Sequence, residues 1–212
     1  MGLLTMNDQT TETNKKDFYE AMESRRSIYG ISKEPVIPDA RIQEIIAFAI
    51  KHSPTAFNAQ TTRAVVLLHQ EHDALWNMTE EVLKGVVPAD QFAPTAEKMA
   101  GFRNGYGTVL FFTDTDVVKG LQQKFASYAD NFPVWAQQEN GMLQFAAWTA
   151  LEVEGFGATI QHYNPLIDEK VAAKWDIPSS WQLVAQMPFG NPTAPARAKE
   201  YQSIEDRMKV FK

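Results

Sequence analysis

A polar segment spanning residues 53–63 carries the residue types best suited to holding a bound molecule. It combines side-chain amides with several hydroxyls, and its only charged residue is Arg63. An ordinary surface loop would more often carry Gly, Asp or Lys. Amides and hydroxyls at this density favour hydrogen bonding to something buried and heteroaromatic. The segment reads Ser53-Pro54-Thr55-Ala56-Phe57-Asn58-Ala59-Gln60-Thr61-Thr62-Arg63.

Two arginines, Arg25 and Arg26, precede Ser27 at the end of a helix predicted over residues 17–27. Such a pair suits phosphate binding, because one guanidinium can hold two phosphate oxygens at once. The pair also has a purely structural interpretation, since cations in a last helical turn complement the helix dipole. The arginines alone leave both interpretations open.

Other chemistries lack the residues that they need. The absence of cysteine excludes disulfides, thiolate metal sites and a cysteine nucleophile. The histidines show no HExxH spacing, so we expect no metal site. Gly155-Phe156-Gly157 begins like a dinucleotide fingerprint, but it lacks the third glycine and runs from helix to strand. No obvious nucleophile or acid–base set is present, so catalysis would depend on a cofactor.

Length and charge limit the class of protein. The 212 residues, with 44% apolar and 22% charged, fit one domain with a sizeable core. The net charge of −6 argues against nucleic-acid binding, which normally needs a basic face. The N-terminus is too polar for a signal peptide or a membrane span, so we expect a cytoplasmic protein with no membrane partner. We expect residues 1–14 to form a disordered leader and residues 15–212 a single domain.

The element around which the chain is organised is a long apolar helix, predicted over residues 134–154. From Met142 to Leu151 only Gln144 and Thr149 interrupt its apolar residues. A helix that is apolar nearly all round must be covered nearly all round. Its own domain could provide that cover, or its own domain together with a second copy of the chain.

The remaining elements predict a three-layer α+β or α/β sandwich. The near-continuous apolar run of residues 63–69 indicates a central strand. Further strands are predicted over 108–113, 158–163 and 181–190. Further helices are predicted over 38–52, 73–84, 116–129 and 168–175, with another helical stretch after Pro88.

Three segments, taken in order, resemble the FMN-dependent nitroreductase family. The first is Arg25-Arg26-Ser27, and the second, residues 53–60, is similar to the family's SPS-x-x-N-x-Q loop. The third is the apolar helix leading through Gly155-Phe156-Gly157 to His162-Tyr163, followed by Met187-Pro188-Phe189-Gly190-Asn191-Pro192. The ordered set is more specific than any one of its pieces.

The resemblance implies an α+β three-layer sandwich, with a central mixed sheet flanked by helices, in an intertwined homodimer that binds FMN at its interface. The arginine motif would hold the FMN phosphate, part of the amide loop would come from the partner subunit, and the backbone of His162-Tyr163 would approach flavin N5. Phe57 and Tyr106 would line the substrate slot. The cofactor-binding residues would be Arg25, Arg26, Ser27, Tyr29, Ser53, Pro54, Thr55, Asn58, Gln60, Gln161, His162, Tyr163, Arg197 and Lys199.

The implied activity is that of an FMN-dependent NAD(P)H oxidoreductase. NAD(P)H would give a hydride to FMN and leave, and a nitroaromatic or quinone would then take two electrons, which predicts ping-pong kinetics. Tyr29 departs from the family, whose well-known members carry a lysine there. That departure keeps open an alternative, a flavin-binding regulator with little turnover. A helical dimerisation module without a cofactor is a further alternative.

Overall fold

This computed structural model describes residues 16–212, so the predicted leader lies outside the described residues. The first helix begins at a capping box, in which Asp17 accepts from the Glu20 N–H and Glu20 accepts from the Asp17 N–H. The helices are α1 Phe18–Ser24, α2 Asp39–His52, α3 His69–Lys84, α4 Ala93–Arg103, α5 Thr115–Lys124, α6 Phe132–Val153 and α7 Asp168–Trp175. The strands are β1 Ile31–Ser32, β2 Thr62–Leu68, β3 Gly107–Asp114, β4 Gly157–Ala158 and β5 Trp181–Pro192.

The five strands form one sheet in the order β1-β5-β3-β2, and β4 also pairs with β5. All pairings between these strands are antiparallel. The one parallel contact within residues 16–212 is an isolated bridge between Ser27 and Ala158. The α+β class is therefore confirmed, whereas the sheet that we expected to be mixed is antiparallel apart from that bridge.

Strand β3 shows how the three layers form. Val109 and Phe111 face a core cluster built with α2 and α6, whereas Leu110 and Phe112 face a second cluster built with α3, α4 and α7. All four side chains are buried. Helices thus cover both faces of the sheet, and the alternation of side chains along a strand supplies both cores.

The prediction that residues 63–69 form a central strand is wrong, because β2 lies at an edge of the sheet. Its apolar run has another cause. Ala64 and Val66 pack against one core cluster, and Val65 and Leu67 belong to the other. A continuous apolar run therefore reports that both faces of a strand are covered, and it does not report how many strands flank it. The strand predicted over 158–163 is also shorter, since only Gly157–Ala158 and a bridge at Gln161 are strand-like.

The cover that its own chain provides for the long helix α6 leaves one face partly open. Leu143, Ala147 and Leu151 are fully buried against the sheet. On another face Met142 and Phe145 remain 39% and 38% exposed. They line an apolar groove of about 770 Å³ between α1, the end of α2 and α6. No helix among the described residues is long and apolar enough to cross a bilayer.

Candidate functional site

The arginine motif lies in a basic pocket formed by two distant parts of the chain. Helix α1 ends at Ser24, and Arg25 takes an extended conformation (φ −62°, ψ 105°), so both arginines lie beyond the last helical turn. The interpretation of the pair as a complement to the helix dipole is therefore wrong. The pocket has a volume of about 260 Å³ and is lined by Arg25, Arg26, Ser27, Tyr29, Arg197, Ala198 and Lys199.

Backbone contacts fix the shape of this pocket. The Ile28 N–H donates to the Ala158 carbonyl at 3.0 Å, which ties the motif to β4. Arg26 Nη2 donates to the Arg197 carbonyl at 2.8 Å, which ties it to the C-terminal segment. Gly157 permits the first contact, because a Cβ there would lie 2.7 Å from Ile28 Cγ2. Segments 171 residues apart in the chain are thus held together at this point.

The state of Arg25 indicates an anion site. Its guanidinium lies 4.4 Å above the ring of Trp148, and its Nε is buried without a hydrogen-bond partner among the described residues. Burial lowers the pKa of Arg25, and the neighbouring Arg26 lowers it further, with Glu152 opposing both. A buried donor without an acceptor, beside a second cation, fits a ligand that carries negative charge. A phosphate meets that requirement.

The amide loop has an unusual backbone. Residues 56–58 form a single 3-10 turn, and Phe57, Asn58 and Gln60 all have positive φ values of 56°, 53° and 50°. None of them is glycine, so each left-handed residue costs about 1–2 kcal/mol, with asparagine at the lower end. The loop therefore needs outside contacts to hold this conformation.

A buried carboxylate on α6 supplies those contacts. Glu139 is 1% exposed, and its Oε1 accepts from the Ala56 N–H at 3.0 Å. Its Oε2 accepts from the Thr61 hydroxyl at 2.6 Å and from the Thr61 N–H at 3.3 Å. Hydrogen bonds to a charged group contribute roughly 1.5–3 kcal/mol each, which is enough to offset the strain of the loop. Sequence reasoning missed Glu139, although a lone acid in an apolar helix is a visible signal.

An aromatic shelf lies beside the loop. The ring of Phe57, 53% exposed, stacks on Trp135 at 5.7 Å with an interplanar angle of 20°. It also contacts Phe125, Tyr128 and Phe132, with ring centroids 5.2–5.8 Å apart. The structure thus places the predicted slot residue Phe57 over the buried ring of Phe132 and beside more exposed rings, next to Asn58.

The segment after β4 lies across β5. Gln161 exchanges backbone hydrogen bonds with Gln186 at 2.7 and 2.9 Å, and the Tyr163 N–H donates to the Gln186 side-chain oxygen at 2.7 Å. The Tyr163 N–H is therefore already used, and its ring packs edge-on against Trp76 in the core. Burial, with a smaller effect of Tyr29, raises the pKa of Tyr163 to about 12. Of the predicted pair, His162 is the exposed residue.

The structure does not place Tyr106, the other predicted slot residue, beside Phe57 and the amide loop. Its side chain is buried, its hydroxyl donates to Asp39, and its ring contacts His69 and Phe156. The hydrogen bond to Asp39 is the main reason why the pKa of Tyr106 rises to about 12. The residue precedes β3, whereas the amide loop meets the far end of that strand, where the Asp114 N–H donates to the Thr61 carbonyl.

Sheet register separates the basic pocket from the amide loop of the same chain. Four steps across the sheet, at ~4.8 Å each, lead from the pocket to the edge strand β2. From Leu68, six residues at ~3.3 Å each run back along β2 to Thr62. The two displacements are roughly perpendicular, so Ser27 and Thr62 lie roughly 28 Å apart. The residues that mark the steps across the sheet are Ser27, Ala158, Phe189, Gly107 and Leu68.

Comparison with known proteins identifies the family to which this arrangement belongs. The chain matches the Nitroreductase family over residues 22–191. It belongs to that family. Saccharomyces cerevisiae HBN1 is 37% identical over 199 residues, covering 92% of this chain and 96% of HBN1. The S. cerevisiae nitroreductase FRM2 is 33% identical over 193 residues, covering 87% and 93%.

A solved structure shows the same fold. Nitroreductase CinD from Lactococcus lactis, in complex with chloramphenicol, superposes with a TM-score of 0.85 at 44% identity. The match covers 92% of this chain and all of CinD. A further CinD structure contains 4-nitrophenol. The family predicted from the arginine motif, the amide loop and the apolar helix is confirmed, and the chain is an oxidoreductase of the nitroreductase type.

Proposed function

We propose that this protein is an FMN-dependent NAD(P)H oxidoreductase that reduces nitroaromatics or quinones. The observation that carries the proposal is the basic pocket, where Arg25 and Arg26 meet Arg197 and Lys199. Within residues 16–212, the buried Nε of Arg25 has no acceptor. An FMN phosphate carries close to two negative charges and fits that donor set. Ser27 and Tyr29 complete the lining with hydroxyl groups.

Bound FMN would supply the redox chemistry, taking a hydride from NAD(P)H and passing it to the acceptor. Each turnover consumes NAD(P)H and one proton; a quinone gives a hydroquinone, and a nitro group gives a nitroso group and water. The chain supplies orientation. Asn58 and Gln60 would hydrogen-bond the flavin, and the His162 backbone would approach N5. We assign no general acid, so water would supply the proton.

The choice of acceptor follows from the aromatic shelf. Phe57, Tyr128 and Trp135 present ring faces and edges next to the amide loop, and flat aromatic molecules stack on such surfaces. The relative CinD has been crystallised with chloramphenicol and with 4-nitrophenol. A nitroaromatic acceptor for this chain is consistent with both observations.

The separation of the two sets of residues favours a site built from two copies of the chain. Ser27 and Thr62 lie roughly 28 Å apart across the sheet, which favours a flavin that takes its pocket from one chain and its loop from another. The apolar groove between α1, α2 and α6 offers a surface for a second copy. We therefore propose a homodimer in which the phosphate pocket of one subunit and the amide loop of the other form each site.

Two measurements test this function. We expect purified protein to be yellow, and heat to release FMN and not FAD. Steady-state rates at several fixed concentrations of 4-nitrophenol, with NADH varied, should give parallel double-reciprocal lines. Intersecting lines, or a colourless protein that takes up no FMN, would contradict the proposal.

One observation favours a second candidate, a flavin-binding regulator with little turnover. Tyr29 occupies the position where well-known family members carry a lysine, and its ring lies 5.8 Å from the Arg197 guanidinium. That arrangement supports flavin binding without placing a cation at the ring system. Stopped-flow mixing with NAD(P)H separates the two candidates, because an enzyme bleaches the flavin within the turnover time and a regulator does not.

A further inference from the structure

Glu139 occupies an unusual position for a charged residue. Its carboxylate is buried at the sheet-facing side of α6, and it forms no ion pair with any residue between 16 and 212. Burial of an unpaired carboxylate is unfavourable unless hydrogen bonds satisfy it. Both oxygens of Glu139 accept hydrogen bonds, and every one of them comes from the amide loop. The carboxylate is therefore dedicated to that loop.

The contacts of Glu139 lie at the two ends of the strained stretch. Oε1 binds the Ala56 N–H, just before the left-handed residues, and Oε2 binds the N–H and hydroxyl of Thr61, just after them. Phe57, Asn58 and Gln60, the residues with positive φ, lie between these two points. A single side chain thus sets the distance between the ends of the loop, which leaves the chain between them little freedom.

A second contact from the same helix acts on the middle of the loop. Trp135 precedes Glu139 by one helical turn, so the two side chains project from the same side of α6. Trp135 stacks on the Phe57 ring, while Glu139 holds the backbone on either side of it. The first two turns of α6 therefore hold the loop by both its side chain and its backbone.

We propose that Glu139 is a positioning residue for the flavin site. By holding Ala56 and Thr61, it keeps Asn58 and Gln60 in the left-handed conformation from which they would contact the flavin of the partner subunit. This inference rests on the proposed function. It adds that the affinity for FMN and the orientation of the bound ring are set by a carboxylate that does not contact the cofactor.

Hydrogen exchange of the full-length protein without FMN tests the contact itself. Glu139→Gln keeps the shape of the side chain but replaces one acceptor oxygen by a donor. We expect the amides of residues 56–61 to exchange at least about tenfold faster in this variant. The matched control is Glu154→Gln, at the other end of α6, which weakens the contact with Arg41 and touches no loop residue. It should leave exchange in the loop unchanged.

FMN binding tests the consequence. We expect Glu139→Gln to raise the dissociation constant for FMN at least about tenfold, and Glu154→Gln to leave it within about twofold of the wild type. At saturating FMN, the visible circular dichroism of the bound flavin should change in Glu139→Gln only, because this signal reports the surroundings of the ring and not its occupancy.

A milder variant covers the case in which Glu139→Gln does not fold. Thr61→Val removes only the hydroxyl donor, which lies 2.6 Å from Glu139, and preserves side-chain volume. It should speed exchange in the loop and weaken FMN binding by several-fold. Unchanged hydrogen exchange of the loop in both variants would show that Glu139 does not hold the loop. Faster exchange with an unchanged affinity for FMN and an unchanged flavin dichroism would overturn the positioning role. Failure of the wild-type protein to bind FMN would instead overturn the proposed function, and this inference with it.

Discussion

Arg25 combines three conditions that a guanidinium normally avoids. It is half-buried, it lies beside the like charge of Arg26, and its Nε lacks an acceptor among the described residues. Burial is the largest of the effects that lower its pKa. A bound phosphate would supply the missing acceptor and offset the repulsion from Arg26, so occupancy of the pocket should be linked to the stability of the folded chain.

Replacement of Arg25 by alanine therefore separates binding from folding. We expect the dissociation constant for FMN to rise about 10- to 100-fold, since a charged hydrogen-bonded contact contributes roughly 1.5–3 kcal/mol. The stability of the FMN-free protein should change little, because the lost cation–π contact with Trp148 is offset by removal of the repulsion between Arg25 and Arg26. Fluorescence titration of FMN and thermal unfolding measure the two effects. The control, Arg41→Ala, removes an exposed arginine of α2 and should not alter FMN affinity.

Gly157→Ala tests the close packing beneath the pocket. The added Cβ would lie 2.7 Å from Ile28 Cγ2 and 2.9 Å from Ile28 Cβ, so the Ser27–Ile28 segment must shift. We expect a loss of about 1–3 kcal/mol in the free energy of unfolding, together with weaker FMN binding. Urea unfolding measures the first effect. Gly120→Ala is the control, since nothing lies within 4 Å of its Cβ position, and it should be neutral or stabilising.

The lowered pKa of His72 predicts how the free energy of unfolding depends on pH. Burial lowers its pKa from 6.5 to about 4, and Nδ1 lies 2.9 Å from Thr108 Oγ1. Because the folded-state pKa is the lower one, the unfolded chain binds a proton first as pH falls. Stability is therefore lost between pH 6.5 and 4, by up to about 3 kcal/mol. Urea unfolding at pH 7, 5.5 and 4.5 should show this loss. His72→Asn, though less stable at pH 7, should show a shallower pH dependence.

At the scale of helices and strands, the sequence predicts the elements that local signals define. Helix α2 was expected over residues 38–52, between two prolines, and the structure has Asp39–His52. Helix α7 also agrees with its predicted bounds. The conformation of the amide loop could not be predicted, because Phe57, Asn58 and Gln60 carry no glycine signal. The loop is held at both ends by Glu139, which lies 78 residues from Thr61 in the chain.

The site shows the same division between local and distant causes. Residue types identified the basic motif and the amide loop, because phosphate and heteroaromatic groups require those side chains. The burial of Tyr106 and the packing of the Tyr163 ring against Trp76 depend on distant segments of the chain, which no local pattern reports. The edge position of β2 likewise depends on which distant strands pair in the sheet.

Helix α6 offers a test of the open groove. Met142→Arg places a cation on its exposed apolar face, so we expect a second copy to be excluded and the chain to become monomeric and colourless. Sedimentation equilibrium and the flavin absorbance check the two outcomes. Val86→Arg changes an exposed apolar residue in the turn after α3 and should remain dimeric and yellow. A Met142→Arg protein that stays dimeric would contradict the proposed interface.

At the scale of the whole molecule, the sheet keeps two sets of binding residues apart. The basic pocket lies at the edge formed by β1 and β4, and the amide loop leads into the opposite edge strand β2. The two sets are complementary: the pocket gathers Arg25, Arg26, Arg197 and Lys199, and the loop supplies amides beside a cluster of aromatic rings. The central claim is that each flavin site joins the pocket of one subunit to the loop of its partner.

A mixed dimer tests that claim most directly. One chain carries Arg25→Ala with an intact loop, and the other carries Asn58→Ala and Gln60→Ala with an intact pocket. Each homodimer should bind FMN weakly at both sites. If the sites are shared between subunits, a doubly tagged heterodimer regains one intact site and binds one equivalent of FMN with wild-type affinity. A heterodimer whose two sites both remain weak would contradict the account.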